Sequence, residues 1–153
     1  SWRYGLQARE LAVVERALAI LGSRSREPGH VLTCPDAAKD YLALHLGAEQ
    51  CERFAVLYLD AQSSAVAYEC HFTGTLTQTS VYPREIVRAA LQHQAASVVL
   101  AHNHPSGSLK PSAADRALAE CLKQYLALVD VRVLDHIIVG GKGAFSFAEN
   151  GLM

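Results

Sequence analysis

The sequence predicts an α/β fold in which one mixed β-sheet is flanked by helices. Three observations predict it. Short apolar runs alternate with longer stretches of helical period, the pattern of strands interleaved with helices. Half of the 153 residues are hydrophobic, enough to bury a sizeable core in a single domain. Glycine and proline punctuate most changes of period.

The elements follow in chain order. Leu11, Val14, Leu18 and Leu21 recur at helical spacing, which predicts a first amphipathic helix beginning near Leu6 and stopping at Gly22. The polar stretch "SRSREPGH" is a loop. "TCPDAAKDYLALHLG" places Thr33 three residues before Asp36, a capping-box spacing, and ends at Gly47, so it is a second helix. "FAVLYLD" is a buried strand. "AVAYECHFTGTLTQTSV" supplies one or two more, with Gly74 as the bend. "YPREIVRAALQHQAA" is a helix with Pro83 in its first turn. "SVVLAHNH" is a strand, "PSGSLKP" a loop and "SAADRALAECLKQYLALVD" the longest helix. "VRVLDHIIVGG" and "AFSFAE" close the sheet. Residues 1–32 are expected to form an N-terminal helix and linker, and residues 33–153 the main domain.

Charge narrows the function classes. The net charge is -1, and residues 1–50 balance six Lys/Arg against six Asp/Glu, so no basic stripe advertises nucleic acid. Nucleic acid is possible as a partner but is not supported by charge. No apolar run reaches membrane-spanning length and no secretory leader is visible, which predicts a cytoplasmic protein with no membrane partner. Cys34, Cys51, Cys70 and Cys121 form no CxxC pair, so reduced thiols are expected rather than disulfides or a zinc knuckle. The chain opens on Ser1 rather than Met, as an excised piece would.

The chemistry concentrates in "LAHNHPSGSLKPSAAD", Leu100 to Asp115. Residues two apart on a strand share a face, so His102 and His104 project together while Asn103 points away. The turn at Pro105-Ser106-Gly107 returns the chain to a helix start, where Asp115 lies in the first turn. Two imidazoles and one carboxylate arriving this way form the three-ligand set of a catalytic Zn2+, although Fe and Mn accept the same ligand types. Ser112 and Asp115 also stand at capping-box spacing, a purely local use of both.

The spacing His-x-His-Pro-x6-Ser-x-x-Asp resembles the JAMM motif of the MPN/JAB metalloproteases. "HNHPSG" with "PSAAD" is similar, more narrowly, to the RadC family. "GTLTQTSVYPREIVRAAL" and "VRVLDHIIVG" extend the likeness, which covers roughly Cys34 to Met153. The helix-hairpin-helix segment of longer members has no counterpart, so the chain resembles a short form. The resemblance implies a single MPN/JAB-type domain, with His102, His104 and Asp115 ligating zinc. It implies that Ser112 hydrogen-bonds the developing oxyanion or the water. The activity it implies is that of a metallopeptidase or isopeptidase acting on a peptide or protein substrate. Asn103 stands where eukaryotic relatives carry Ser or Thr.

A metal hydrolase also needs a proton carrier. The JAMM family supplies a glutamate from an early strand. Glu52, just ahead of "FAVLYLD", is the favoured counterpart and Glu69 the second. Glu85 is explained by the helix dipole alone. A site without such a base would hold metal and hydrolyse nothing. His136 beside Asp135 reads as a core histidine before a supporting pair. His71 next to Cys70 has no ligand spacing, and His30, His45 and His93 read as surface residues.

Rival readings fail on spacing. The letters "HNH" match a nuclease name, but that motif is spread over a ββα finger. Zinc deaminases need His-x-Glu and Pro-Cys-x-x-Cys, both missing here. Amidohydrolase barrels need ~250 residues. The alternative from another class is a non-catalytic, metal-binding accessory protein in DNA repair or recombination, an association carried by the RadC resemblance.

Overall fold

The computed structural model describes residues 5–25, 35–74, 80–141 and 143–153. Helix α1 runs Ala8–Ser25, α2 Pro35–Leu46, α3 Pro83–Gln92 and α4 Ala113–Ala127. Strands are β1 Arg53–Leu59, β2 Ala65–Thr73, β3 Ser97–Asn103, β4 Arg132–Gly140 and β5 Gly143–Ser146. They form one sheet in the order β2-β1-β3-β4-β5. Among the described strands only the β3–β4 pair is parallel; β1–β2, β1–β3 and β4–β5 are antiparallel. The parallel pair needs a crossover, and α4 provides it. The expected mixed α/β sheet flanked by helices is therefore observed.

Alternation along the strands separates two cores. Phe54, Val56 and Tyr58 of β1 and Val98 and Leu100 of β3 face α3 and α4, where Ile86, Ala90, Leu118, Leu122 and Leu126 meet them. Leu57, Leu59, Val99, Ala101, Ile137 and Val139 face the other way, against Ala38, Tyr41, Leu42 and Leu46 of α2. Every residue of β3 is buried, as a central strand covered on both faces requires. Removing one such side chain, Leu100→Ala, would cost roughly 2–5 kcal/mol. Helix α1 lies against α2.

Some boundaries differ from expectation. Gly22 does not stop α1, which continues to Ser25, because one helical glycine costs only about 1 kcal/mol relative to alanine. The longest described helix is α1, with 18 residues, and not α4, with 15. Gly47 does end α2, and Gly74, at φ +125°, ends β2. The Thr33 cap and any second strand beyond Gly74 fall partly or wholly outside the described residues.

A candidate metal centre at the end of the central strand

Strand β3 ends at Asn103, but its ladder continues one step: the His104 N–H donates to Val139 O at 2.8 Å. His102 and His104 therefore stay on one face, the α4 side, one buried and one half-buried. The turn that follows closes with Gly107 N–H on His104 O at 2.9 Å and places Gly107 at φ +86°, where a side chain would be strained. The loop then crosses β4 so closely that a Cβ on Gly140 would stand 2.9 Å from Ser108 O and 3.0 Å from Gly107 O. This close seat holds the Ser108 carbonyl 2.8 Å from His104 Nδ1. A carbonyl only accepts, so Nδ1 donates and the lone pair of neutral His104 is left on Nε2.

Asp115 arrives from α4. Its N–H donates to Ser112 Oγ at 3.0 Å, and the Ser112 N–H donates to Asp115 Oδ2 at 2.8 Å, the reciprocal capping box. The cap also aims the carboxylate. Asp115 Oδ1 lies 3.1 Å from His102 Nε2, and Oδ2 lies 3.3 Å from His104 Nε2. The two Nε2 atoms are 2.9 Å apart. Burial opposes the charged form of Asp115, but hydrogen bonds from His102 and His104 prevail and hold its carboxyl far below the usual carboxylate range. The same carboxylate raises His104 above the ordinary imidazole value.

Glu52 completes the constellation. It precedes β1, and Phe54 of that strand is registered against His102. One carboxylate oxygen of Glu52 and one ring nitrogen each of His102 and His104 lie within 4.8 Å of one another. Asn103 accounts for the placement. Its side chain points to the opposite face, where Oδ1 accepts from Arg53 N at 2.7 Å and Nδ2 donates to Cys51 O at 2.9 Å. It thus grips the backbone on both sides of Glu52, while Gly74 N–H binds Glu52 O at 2.8 Å.

Whether these groups suit a cation is a question of donor chemistry. Three oxygen or nitrogen ligands held tetrahedrally at zinc distances stand about 3.3 Å apart. The two Nε2 atoms stand 2.9 Å apart and each faces its own oxygen of the Asp115 carboxylate, at 3.1 and 3.3 Å, close to that spacing. The residues fit a divalent ion.

The other candidates lie elsewhere. Glu69, opposite Val56 on the edge strand β2, bonds His93 Nε2 at 2.8 Å. Glu85 makes long contacts to Arg84 and Arg88 on α3, at 3.8 and 3.6 Å. His93 and His45 are half-buried rather than surface residues, and His45 stacks on Tyr68 with centroids 3.8 Å apart. The Asp135 carboxylate serves the fold, accepting from the backbone of His136 and Ala148 and from the Ser146 hydroxyl. The contribution of His136 was missed: it is buried, as a core histidine should be, yet its Nε2 is 2.7 Å from His102 Nδ1. Strand alternation on β4 puts His136 on the same face as Ile138, but the contact follows only from the pairing of Ile138 with His102, which the sequence does not carry.

Cys51 and Cys70 are exposed and Cys121 is half-buried, all with free thiols; Cys34 lies outside the described residues. Among the described residues no helix is long and apolar enough to cross a membrane.

Residues 32–152 match the family model described as a RadC-like JAB domain. A UPF0758 protein of Janthinobacterium sp. (strain Marseille) is 60% identical over 129 residues, 84% of this chain and 58% of that protein. One from Albidiferax ferrireducens is 55% identical over 147 residues, 96% of this chain and 62% of its own. The chain thus spans about three-fifths of the length of these two curated relatives. UPF0758 protein YeeS of Escherichia coli (strain K12) is 51% identical over 144 residues, covering 94% of this chain and 97% of YeeS. With a family match over most of its length and relatives this similar, the chain belongs to the RadC-like JAB domain family.

Proposed function

We propose that the chain is a zinc-dependent metallohydrolase, a peptidase or isopeptidase that cleaves an amide bond of a peptide or protein substrate. One observation carries the reading: Nε2 of His102, Nε2 of His104 and the Asp115 carboxylate converge within 3.3 Å, with Glu52 beside them. His102, His104 and Asp115 would hold the ion. A bound zinc supplies Lewis acidity, which acidifies water and polarises a carbonyl.

The remaining work falls to the protein's own groups. Asp115 is buried and Glu52 only half-buried. The deeper acid therefore suits the ligand role, and Glu52 suits proton traffic with water and the leaving amine. Its carboxylate takes a proton from the attacking water and delivers it to the departing nitrogen, a contribution of typically 10²–10⁴-fold. Ser112 uses an oxygen lone pair to accept from Asp115 N–H, so its hydroxyl hydrogen is left to donate to the oxyanion that forms on the amide carbonyl. The free thiols suit the cytoplasm.

The test is zinc content after loading and dialysis, followed by cleavage of peptide and isopeptide-linked substrates with and without chelator. We expect one zinc per chain, turnover abolished by chelation, and Glu52→Gln retaining zinc while losing turnover by about 10²–10⁴-fold. Zinc retained by an active-site-intact chain that turns over no such substrate would overturn the hydrolase reading in favour of a metal-binding accessory role. Salt-dependent DNA affinity would point that role towards repair or recombination.

A further inference from the structure

We propose that His136 is a positioning residue of the metal centre, accepting a hydrogen bond from His102 Nδ1 and thereby presenting His102 Nε2 to the cation. The inference rests on the metal-centre reading above and extends it to a residue that ligates nothing.

The argument is a count of protons and lone pairs. His102 Nε2 faces Asp115 Oδ1 and His104 Nε2, at 3.1 and 2.9 Å, so this nitrogen is the one that can meet the ion. A neutral imidazole coordinating through Nε2 carries its proton on Nδ1. That Nδ1 lies 2.7 Å from His136 Nε2, and both rings are fully buried. Two N–H groups cannot face each other at that distance. His136 must therefore accept through Nε2 and hold its own proton on Nδ1.

Packing does not explain an imidazole at this position. The ring of His136 stacks on Phe147, with centroids 4.6 Å apart and planes at 19°, and meets Phe54 edge-on at 6.0 Å. A phenylalanine would satisfy the same neighbours. The imidazole instead leaves a buried Nδ1 with no hydrogen-bond partner, a cost that an apolar ring would not carry. Asp135, adjacent in sequence, does not relieve it, because that carboxylate is spent on backbone N–H groups and on Ser146. The nitrogen that has a partner is the one that touches His102. His104 is set in the same way by the Ser108 carbonyl, so each imidazole of the centre has its far nitrogen fixed.

The experiment compares wild type, His136→Phe and His136→Gln in the full chain. Zinc affinity is read by competition with a chromogenic chelator, and the tautomer by ¹⁵N NMR of histidine-labelled wild type with zinc. His136→Phe keeps the packing and removes the acceptor; it should lower zinc affinity about 10–100-fold. His136→Gln restores an accepting oxygen near Nε2 and should recover most of that loss. Zinc-loaded wild type should show His136 protonated at Nδ1. Wild-type zinc affinity in a folded His136→Phe, or an Nε2-protonated His136 in the zinc form, would overturn the proposal while leaving the metal centre standing. If His136→Phe does not fold, the wild-type tautomer decides alone. Failure of wild type to take up zinc would remove the centre itself, and this proposal with it.

Discussion

Among the described residues, two histidine clusters are built from nearly the same parts, and they are arranged differently. At the end of β3, His102, His104 and His136 meet Asp115 and Glu52. On β1, β2 and the end of α3, His71 and His93 meet Tyr58 and Glu69. In the second cluster the groups close in pairs: Tyr58 Oη is 2.6 Å from His71 Nε2, and His93 Nε2 is 2.8 Å from Glu69. Burial, followed by the charge of Glu69, pushes the Tyr58 hydroxyl up to a high pKa, so it keeps its proton beside His71. In the first cluster the far nitrogens are engaged by Ser108 and His136, and the near nitrogens share one point with a carboxylate. A polar cluster is suited to hold a metal ion when its outer contacts force the inner lone pairs to converge. Residue composition alone does not distinguish the two.

The largest effect should come from breaking the convergence. His102→Ala removes a ligand atom from the centre and should lower zinc affinity by more than about 100-fold, beyond the range usual for supporting residues. His93→Ala, in the paired cluster, should leave zinc binding within about twofold. Parallel chelator competition on the two variants checks this directly. Equal losses would mean that zinc binds somewhere other than the end of β3.

Asn103 sharpens the contrast, because it acts on Glu52 and not on the ion. Asn103→Ala deletes the contacts to Arg53 N and Cys51 O that frame Glu52. Misplacing a reacting group by about 1 Å costs on the order of 10²-fold, so kcat should fall by 10–100-fold with zinc affinity unchanged. Loss of two part-buried hydrogen bonds should also cost about 1 kcal/mol. Steady-state kinetics, metal titration and denaturant melts separate the three quantities. A loss of zinc in step with kcat would contradict this division of labour.

Gly140 probes the outer contact of His104. A Cβ there would overlap Ser108 O and Gly107 O. Gly140→Ala should therefore displace the loop, loosen His104 Nδ1 from Ser108 and lower zinc affinity by about 10-fold, with overpacking costing roughly 1–3 kcal/mol. Chelator competition and thermal melts read both. Unchanged zinc affinity would show that the ring holds its orientation without the Ser108 carbonyl.

Much of this was legible in the sequence, for local reasons. Strand alternation put His102 and His104 together, the turn at Pro105-Ser106-Gly107 returned the chain, and Ser112 with Asp115 marked the helix start. What was not legible depended on strand pairing. The grip of Asn103 on Cys51 and Arg53 exists because β1 lies antiparallel to β3, with Phe54 opposite His102. The His136–His102 contact exists because β4 lies parallel to β3, with Ile138 opposite His102. Neither register is written in the period of a single strand. The preference for Glu52 over Glu69 came from resemblance to a family strand, and the geometry that now separates them is again one of register.

The smallest effect should appear in the paired cluster, as a change in the pH dependence of stability. His71 is pushed below the ordinary imidazole value, mainly by burial, against the pull of Glu69 and Glu85. A lowered folded-state pKa means that the unfolded chain binds the proton first. Stability from this group is therefore complete above about pH 6.5 and is lost as the pH falls towards the folded value. His71→Gln keeps a side chain able to accept from the Tyr58 hydroxyl but cannot titrate. Thermal melts between pH 7 and pH 5 should then show a shallower acid-side decline in the variant than in wild type. One proton can tilt the curve by at most about 1.4 kcal/mol per pH unit, and solvent at the partly exposed ring makes the tilt smaller. Identical slopes would mean that His71 is protonated equally in both states, and the second cluster would then contribute packing without any electrostatic cost of closing in pairs.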